Sequence, residues 1–515
     1  MATKMPAVTT ETTPVAHRGA ITATIICACV MQGLDTTIVN VCLPHIQGSM
    51  SAAQDQISWV LTSYIVASAI MMPLTGWLAG HFGVKYIFLG SVIGFTIASA
   101  LCGAATSLTQ LVLYRMLQGV CSAGLVPLGQ ATLFTIYPRE KHGQAMAIFS
   151  TGAMMGPIVG PTLGGWLTEN LDWRWCFYIN LPVGALCALG VFVFIRQTRS
   201  MRRSEFDMFG FLMLSIAVGS LQLMLDRGQL KDWFHSTEIW IEATIAALCF
   251  YLLVVHTATA DERSFLNRDL LKSPNFVAGS LLMFGVGMIL SGTLALMPSM
   301  MQVLMNYPVF DAGWMMAPRG VGTMIAMFLV ARLINRVDNR LFILIGFVLT
   351  AASLWQMTGY SLYMGSGPIL FAGFAQGFGL GCTFVPLNLL ALSGLPHHIL
   401  TQGTAIRALV RMLGGSIGIA ILETQLTQNT QIVHSRLIEQ LRPDNPLTHA
   451  LLSAPFSLTN PSGIAALNNE VTRQAAMISY IDDFMLMLIV VLASLPLLLL
   501  VRVPRRQPVA AAAGD

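Results

Sequence analysis

Apolar runs of about 18–25 residues, separated by short polar or glycine-bearing turns, follow one another along almost the whole chain. At the helical rise of about 1.5 Å per residue, a run of that length crosses roughly 30 Å of hydrocarbon. The runs do not show the alternation expected of membrane β-strands. The pattern predicts an all-α integral membrane protein with fourteen transmembrane helices. They lie at 19–43, 57–79, 86–104, 109–135, 144–167, 174–195, 207–226, 237–257, 275–299, 311–332, 341–363, 367–394, 402–424 and 478–501.

Charge gives these spans a direction. With residue 1 placed in the cytoplasm, and the span-end residues Arg174 and Arg332 counted with the segments they adjoin, 18 of the 28 Lys and Arg fall in cytoplasmic segments and 6 in outer segments, which include the longest connection; 4 lie inside spans. The positive-inside rule then puts both chain ends in the cytoplasm. With 55% hydrophobic and 10% charged residues, the chain is too apolar for an average soluble domain. Its net charge of +4 reflects topology and gives no argument for nucleic acid. The first residues lack the basic start and short apolar core of a cleaved signal, so the first span is expected to be retained. All nine cysteines lie in or beside apolar runs without metal-ligand spacing and are read as packing residues.

The chain also repeats itself. Gln118-Gly119 precedes Gly156 by 38 residues, and Gln376-Gly377 precedes Gly414 by the same 38, an offset of 258. The turn at 76–85 has a counterpart at 331–340. Parallel repeats of this kind predict two six-helix bundles around an axis normal to the membrane, with a pathway between them. The expected organisation is a tail at 1–18, an N-terminal bundle at 19–195, two inserted helices at 206–257, a C-terminal bundle at 275–501 and a tail at 502–515. The last bundle carries an outer loop at 425–477, of which 427–443 has an amphipathic helical period.

Several polar residues interrupt the apolar runs. Asp35, in LDTTIVNVCLP (34–44), and Arg115, in YRMLQG (114–119), lie at similar depth counted from the outer ends of their spans. A lone charge at that depth is costly, so each faces a partner or a wet cavity; the sequence leaves open whether they meet. An aspartate whose protonation follows conformation is what proton coupling needs, whereas a static ion pair would merely fasten the first span to the fourth. Arg407 is close enough to the inner end of its span to snorkel. Arg319 and Arg411 lie deeper and balance a carboxylate, an anionic substrate or backbone carbonyls. Asn40, Gln118 and Gln376 join Arg319 and Arg411 as cavity or coupling candidates. Asp226 and Glu423, near outer ends, are read as solvated, and His256, His397 and His398 as no metal ligands. Thirty methionines, with doublets at 71–72, 154–155, 300–301 and 315–316, suit either a forgiving apolar pocket or ordinary core and lipid contacts. Gly152, Gly156, Gly160 and Gly164, accompanied by Pro157, Pro161 and Gly165, form a groove without Cβ atoms where another helix can approach closely.

These motifs resemble the major facilitator superfamily (MFS fold), in particular its 14-helix drug:proton antiporters of the EmrB/QacA type, over essentially the entire chain. LDTTIVNVCLP resembles the first-helix motif of that group, YRMLQG its fourth-helix arginine motif, and GAMMGPIVGPTLGG (152–165) its fifth-helix antiporter motif. LQLMLDRGQLKDWF (221–234) is similar to the segment after the seventh helix. The resemblance implies proton-driven export of amphipathic or lipophilic drugs and toxic compounds from the bacterial inner membrane. Asp35 would be the proton-linked acid, Arg115 its coupling partner, and the proton gradient would replace any cofactor. It also implies work with a periplasmic adaptor (EmrA-like) and an outer-membrane channel (TolC-like). One departure stands out: the Asp-Arg usual in the turn between the second and third helices is Gly80-His81 here, which removes a carboxylate from any charge relay at that turn. A carrier dedicated to one natural product or lipid would share the fold. An enzyme, a receptor or an ATP-driven pump has no support in the sequence, which lacks a GxxxxGK[ST] loop and a catalytic or metal constellation.

Overall fold

A computed structural model describes residues 17–138, 141–197, 206–259, 267–334, 336–392, 395–441, 456 and 460–500. The described residues contain fourteen helices long and apolar enough to cross a membrane: α1 (Arg18–Ser49), α2 (Trp59–Phe82), α3 (Val84–Ala104), α4 (Leu108–Ile136), α5 (His142–Asn170), α6 (Trp175–Phe194), α7 (Met208–Lys231), α8 (Thr237–Thr259), α9 (Pro274–Leu304), α10 (Phe310–Leu333), α11 (Asn339–Met357), α12 (Ser366–Leu392), α13 (Ile399–Glu439) and α14 (Pro461–Leu500). The tails at 1–16 and 501–515, and 442–455 and 457–459 of the outer connection, lie outside the described residues.

Two helices overrun their expected ends. Nothing between Thr424 and Gln440 is Gly or Pro, so no residue stops α13 and it continues beyond the apolar stretch. On the return, Asn460 caps α14 by accepting from the Ser462 amide at 3.4 Å, with Pro461 in the first turn. Much of the expected loop 425–477 is therefore a helical hairpin. Asn429 donates to Asp482 at 3.3 Å and His434 pairs with Asn468 at 3.1 Å, so its two arms are joined by polar contacts. The helical portion expected at 427–443 is seen as far as Gln440. Conversely, α11 stops at Met357, short of 363, where Gly359 follows.

The two halves pack alike. In the first, α1 lies on α5, α2 and α3 on α4, and α3 on α6; in the second, α9 lies on α13, α10 and α11 on α12, and α11 on α14. One contact of the crossing recurs at the same offset, although Gly414 meets Phe284 where its counterpart Gly156 meets Val30 and Leu34, about one turn further along. Pro157 of α5 sits against Gly33 of α1, and 258 residues later Gly415 of α13 sits against Ser291 of α9. A pseudo-twofold arrangement of two six-helix bundles follows, with α7 and α8 inserted between them in sequence.

Between the bundles, α5 packs on α10, and α2 and α4 pack on α13. The hydrogen bonds described across this seam lie toward the Arg18 side of the molecule. Thr404 donates to the Pro127 carbonyl at 3.3 Å, Arg407 to Gln130 at 3.0 Å and Thr151 to the Met327 sulfur at 3.7 Å. A Cβ at Gly76 would lie 3.1 Å from the Gln402 backbone, so α2 and α13 all but touch there. The inserted α7 straddles the seam: Gly219 faces Ile70 of α2, while Trp233 just beyond α7 donates to Thr424 of α13 at 2.9 Å.

Candidate functional site

The glycine row on α5 sets the position of α1. A Cβ at Gly152 would strike Ile26, one at Gly160 would strike Thr37, and one at Gly164 would lie 2.7 Å from Ile38. At Gly156 the obstacle is backbone, the Leu34 amide and Val30 carbonyl at 2.6 Å, which cannot swing aside. Gly165 is half-buried and takes no part in this row. Held against α5, α1 turns Asp35 toward α4 and α6.

There the aspartate is enclosed. Its Oδ2 accepts from Nη1 of Arg115 at 2.8 Å; its Oδ1 accepts from Gln118 Nε2 at 2.8 Å and from Asn180 Nδ2 at 3.0 Å. Arg115 also donates to Gln118 Oε1 at 2.7 Å and to the Val60 carbonyl at 3.1 Å, and lies 4.3 Å from the centre of the Tyr64 ring. Asn180 is held in turn by Ser99 at 3.0 Å. Asp35 is 0% exposed and Arg115 1%, so the pair has no solvent contact in this conformation. With all these bonds made, the desolvation of two charges is offset; removing one partner from such a pair costs about 3–5 kcal/mol.

The other candidates divide. Gln118 belongs to the cage, but Asn40 does not: five residues beyond Asp35, it is exposed and has turned off that face. Arg407 does not snorkel. It is 3% exposed and bonded to Asn388 and Gln130, whose side-chain oxygens remove the need to reach water. Asp226 is half-buried rather than freely solvated, with Oδ1 accepting from Gln222 at 3.1 Å, while Glu423 is exposed. His256 pairs with Asp207 at 2.8 Å. Arg411 is half-exposed with no hydrogen bond described. Arg319 and Gln376 come together in the second bundle, where they line one pocket with Thr293, Met297, Met315, Met316 and Met357.

Sequence reasoning missed two features. Asn180 gave a signal, an amide inside an otherwise apolar run, that was not followed. Cys42 and Cys176, read as packing residues, are joined in a disulfide that links α1 to the start of α6; their 134-residue separation gives no local cue.

Comparison with known proteins agrees with the architecture. The family model described as Major Facilitator Superfamily matches residues 25–419. "Multidrug export protein EmrB" of Escherichia coli (strain K12) is 36% identical over 459 residues, covering 88% of this chain and 89% of EmrB. "Fatty acid resistance protein FarB" of Neisseria gonorrhoeae is 32% identical, covering 92% of this chain and 94% of FarB. The crystal structure of the human organic anion transporter MFSD10 aligns with a TM-score of 0.58 at 13% identity, covering 92% of this chain and 99% of its own, which is a likeness of fold. A multi-pass helical membrane protein with these matches is a transporter and not an enzyme, and the chain belongs to the Major Facilitator Superfamily.

Proposed function

We propose that the protein exports amphipathic or lipophilic drugs and toxic compounds across a bacterial inner membrane in exchange for protons, by alternating access of its two bundles. The observation that carries this reading is the buried Asp35–Arg115 pair. A membrane-embedded carboxylate is functional by default, and here it is bound by three side chains from two neighbouring helices, α4 and α6. Sealing constrains the mechanism: Asp35 exchanges a proton when α1, α4 and α6 part. A proton taken up there removes the anion that Arg115, Gln118 and Asn180 were bonding, so protonation and the opening of the cage are coupled. In the opposite access state the ties of Arg407 to Gln130 and Thr404 to Pro127 would be broken, opening the seam to the cytoplasm. Energy comes from the ion gradient, at about 2.3 kcal/mol per charge per 100 mV. Both chain ends lie in the cytoplasm on this reading, and the α13–α14 hairpin extends into the periplasm, where an EmrA-like adaptor feeding a TolC-like channel would meet it.

EmrB's name as a multidrug exporter supports a broad substrate range, and FarB's name supports a carrier of one lipid class. Transport of several unrelated compounds by purified protein favours the first, and a single accepted compound the second. Proton coupling is tested in acid-loaded everted vesicles carrying wild type or Asp35→Asn. Ethidium addition discharges the proton gradient through wild type and not through the variant. Equal, equally pH-dependent discharge through Asp35→Asn overturns the assignment of the acid.

A further inference from the structure

The pseudo-twofold sets the two halves side by side residue by residue. Shifted by 258, Asp35 falls on Thr293, Gln118 on Gln376 and Arg115 on Gly373. The shared geometry survives the change of residues: Gln118 Nε2 donates to Asp35 at 2.8 Å, and Gln376 Nε2 donates to the Thr293 hydroxyl at 3.1 Å. On α2 and α10 the offset is 255, which puts Arg319 where the first half has Tyr64. The backbones confirm this match, because Gly119 meets the Tyr64 carbonyl and Gly377 the Arg319 carbonyl.

The second half thus keeps an arginine in this region but supplies it from α10 instead of α12, and Gly373 leaves room where the Arg115 side chain would stand. What it does not keep is the counter-charge, because the aspartate has become threonine. Arg319 is 6% exposed, and among the described residues no carboxylate lies within ion-pair distance. Its Nη2 reaches the Leu290 carbonyl at 3.5 Å; among the described residues its Nη1 has no hydrogen-bond partner, and Oε1 of Gln376 beside it has none either. A buried, unneutralised guanidinium is among the most costly arrangements a membrane protein can hold. The lining supplies apolar surface beside it: Met297, Met315, Met316 and Met357 line the same small pocket as Arg319, and Met315 and Met316 are half-exposed.

We propose, building on the export reading above, that this pocket binds the carboxylate of a lipophilic anion. The free Nη1 of Arg319 takes the charge, Thr293 and Gln376 border it, and the methionines hold the adjoining hydrocarbon. The first half carries its anion in the chain; the second receives its anion from the ligand.

The test uses full-length protein in neutral-lipid nanodiscs, with dodecanoate, dodecyltrimethylammonium and acetate as probes, read by ligand-induced thermal shift and isothermal titration. Wild type should bind dodecanoate at least tenfold more tightly than Arg319→Gln does, with Arg319→Lys intermediate and dodecyltrimethylammonium indifferent to both. Thr293→Asp rebuilds the internal pair of the first half, so it should raise the melting temperature and abolish dodecanoate binding. That variant guards against loss by misfolding, since a more stable protein that no longer binds cannot be explained by unfolding. Unchanged dodecanoate affinity in Arg319→Gln or in Thr293→Asp overturns the site, as does acetate binding as tightly as dodecanoate, which would make the ligand a dissolved anion. The export reading fails separately: dodecanoate bound at Arg319 by a protein that moves neither dodecanoate nor ethidium sinks export and leaves the site standing.

Discussion

The two bundles use one helix scaffold to opposite electrostatic ends. In the first, Asp35 and Arg115 neutralise each other at 2.8 Å inside a cage of amides. In the second, Arg319 enters the same region from α10 with an unpartnered nitrogen among the described residues, a threonine where the acid would be, and methionines lining the pocket. A closed pair stores a charge that responds when the cage opens, whereas an open site waits for a charge from outside. The duplicated fold therefore divides two tasks that a transporter of this kind must couple.

The largest way to break this comparison is to remove each arginine in turn. Arg115→Leu leaves Asp35 buried without its cation and should destabilise by about 3–5 kcal/mol. Arg319→Met removes a charge that has no partner, and should cost nothing or gain on the order of 1 kcal/mol. Thermal unfolding of both variants in one detergent measures the contrast; equal losses would mean that Arg319 is neutralised within the chain after all.

How much of this was legible in the sequence follows from what each residue's neighbours are. Asp35 and Arg115 could be matched because both interrupt apolar spans at equal depth, which is a one-dimensional property. The count of spans was legible for the same reason. The ends of α13 and α14 were not, since hydropathy falls where the bilayer stops while the helix continues for want of a breaker. Arg407 misled for a different reason: its distance from the helix end suggested snorkelling, but Asn388 and Gln130 belong to two other helices and their approach is a fact of packing. The pocket at Arg319 was hidden because the repeat gives it no charged counterpart: the α2–α10 offset of 255 pairs it with Tyr64, and the offset of 258 seen elsewhere would pair it with Leu61.

A smaller contrast comes from the two glutamines. Gln118 bonds both members of an ion pair, and charge-assisted bonds contribute about 1.5–3 kcal/mol, so Gln118→Leu should destabilise by that amount. Gln376 makes one neutral bond to Thr293 and leaves its Oε1 unpartnered. Losing that bond is offset by relieving a buried acceptor, and Gln376→Leu should lie within about 1 kcal/mol of wild type. Chemical denaturation of the pair of variants checks the difference.

The smallest expected difference is zero, and it sharpens the comparison by separating scaffold from charge. Gly156 lets α5 rest on the α1 backbone, and Gly414, its counterpart 258 residues on, lets α13 rest on the Phe284 carbonyl of α9. In both places the obstacle to a Cβ is main chain, which cannot adopt another rotamer, so relief requires the helices to move apart. Overpacking of this kind costs about 1–3 kcal/mol. Gly156→Ala and Gly414→Ala should therefore lower the melting temperature equally, although one lies behind the sealed pair and the other behind the open pocket. Transport should respond unequally to the same displacement. Moving α1 shifts Asp35 against three hydrogen-bond donors with narrow geometric tolerance, while moving α9 shifts Thr293, whose contact with Arg319 is the wall of a pocket and not a bond. Equal melting with a larger transport loss in Gly156→Ala is the result this reasoning requires; unequal melting would show that the two crossings are not the same structure.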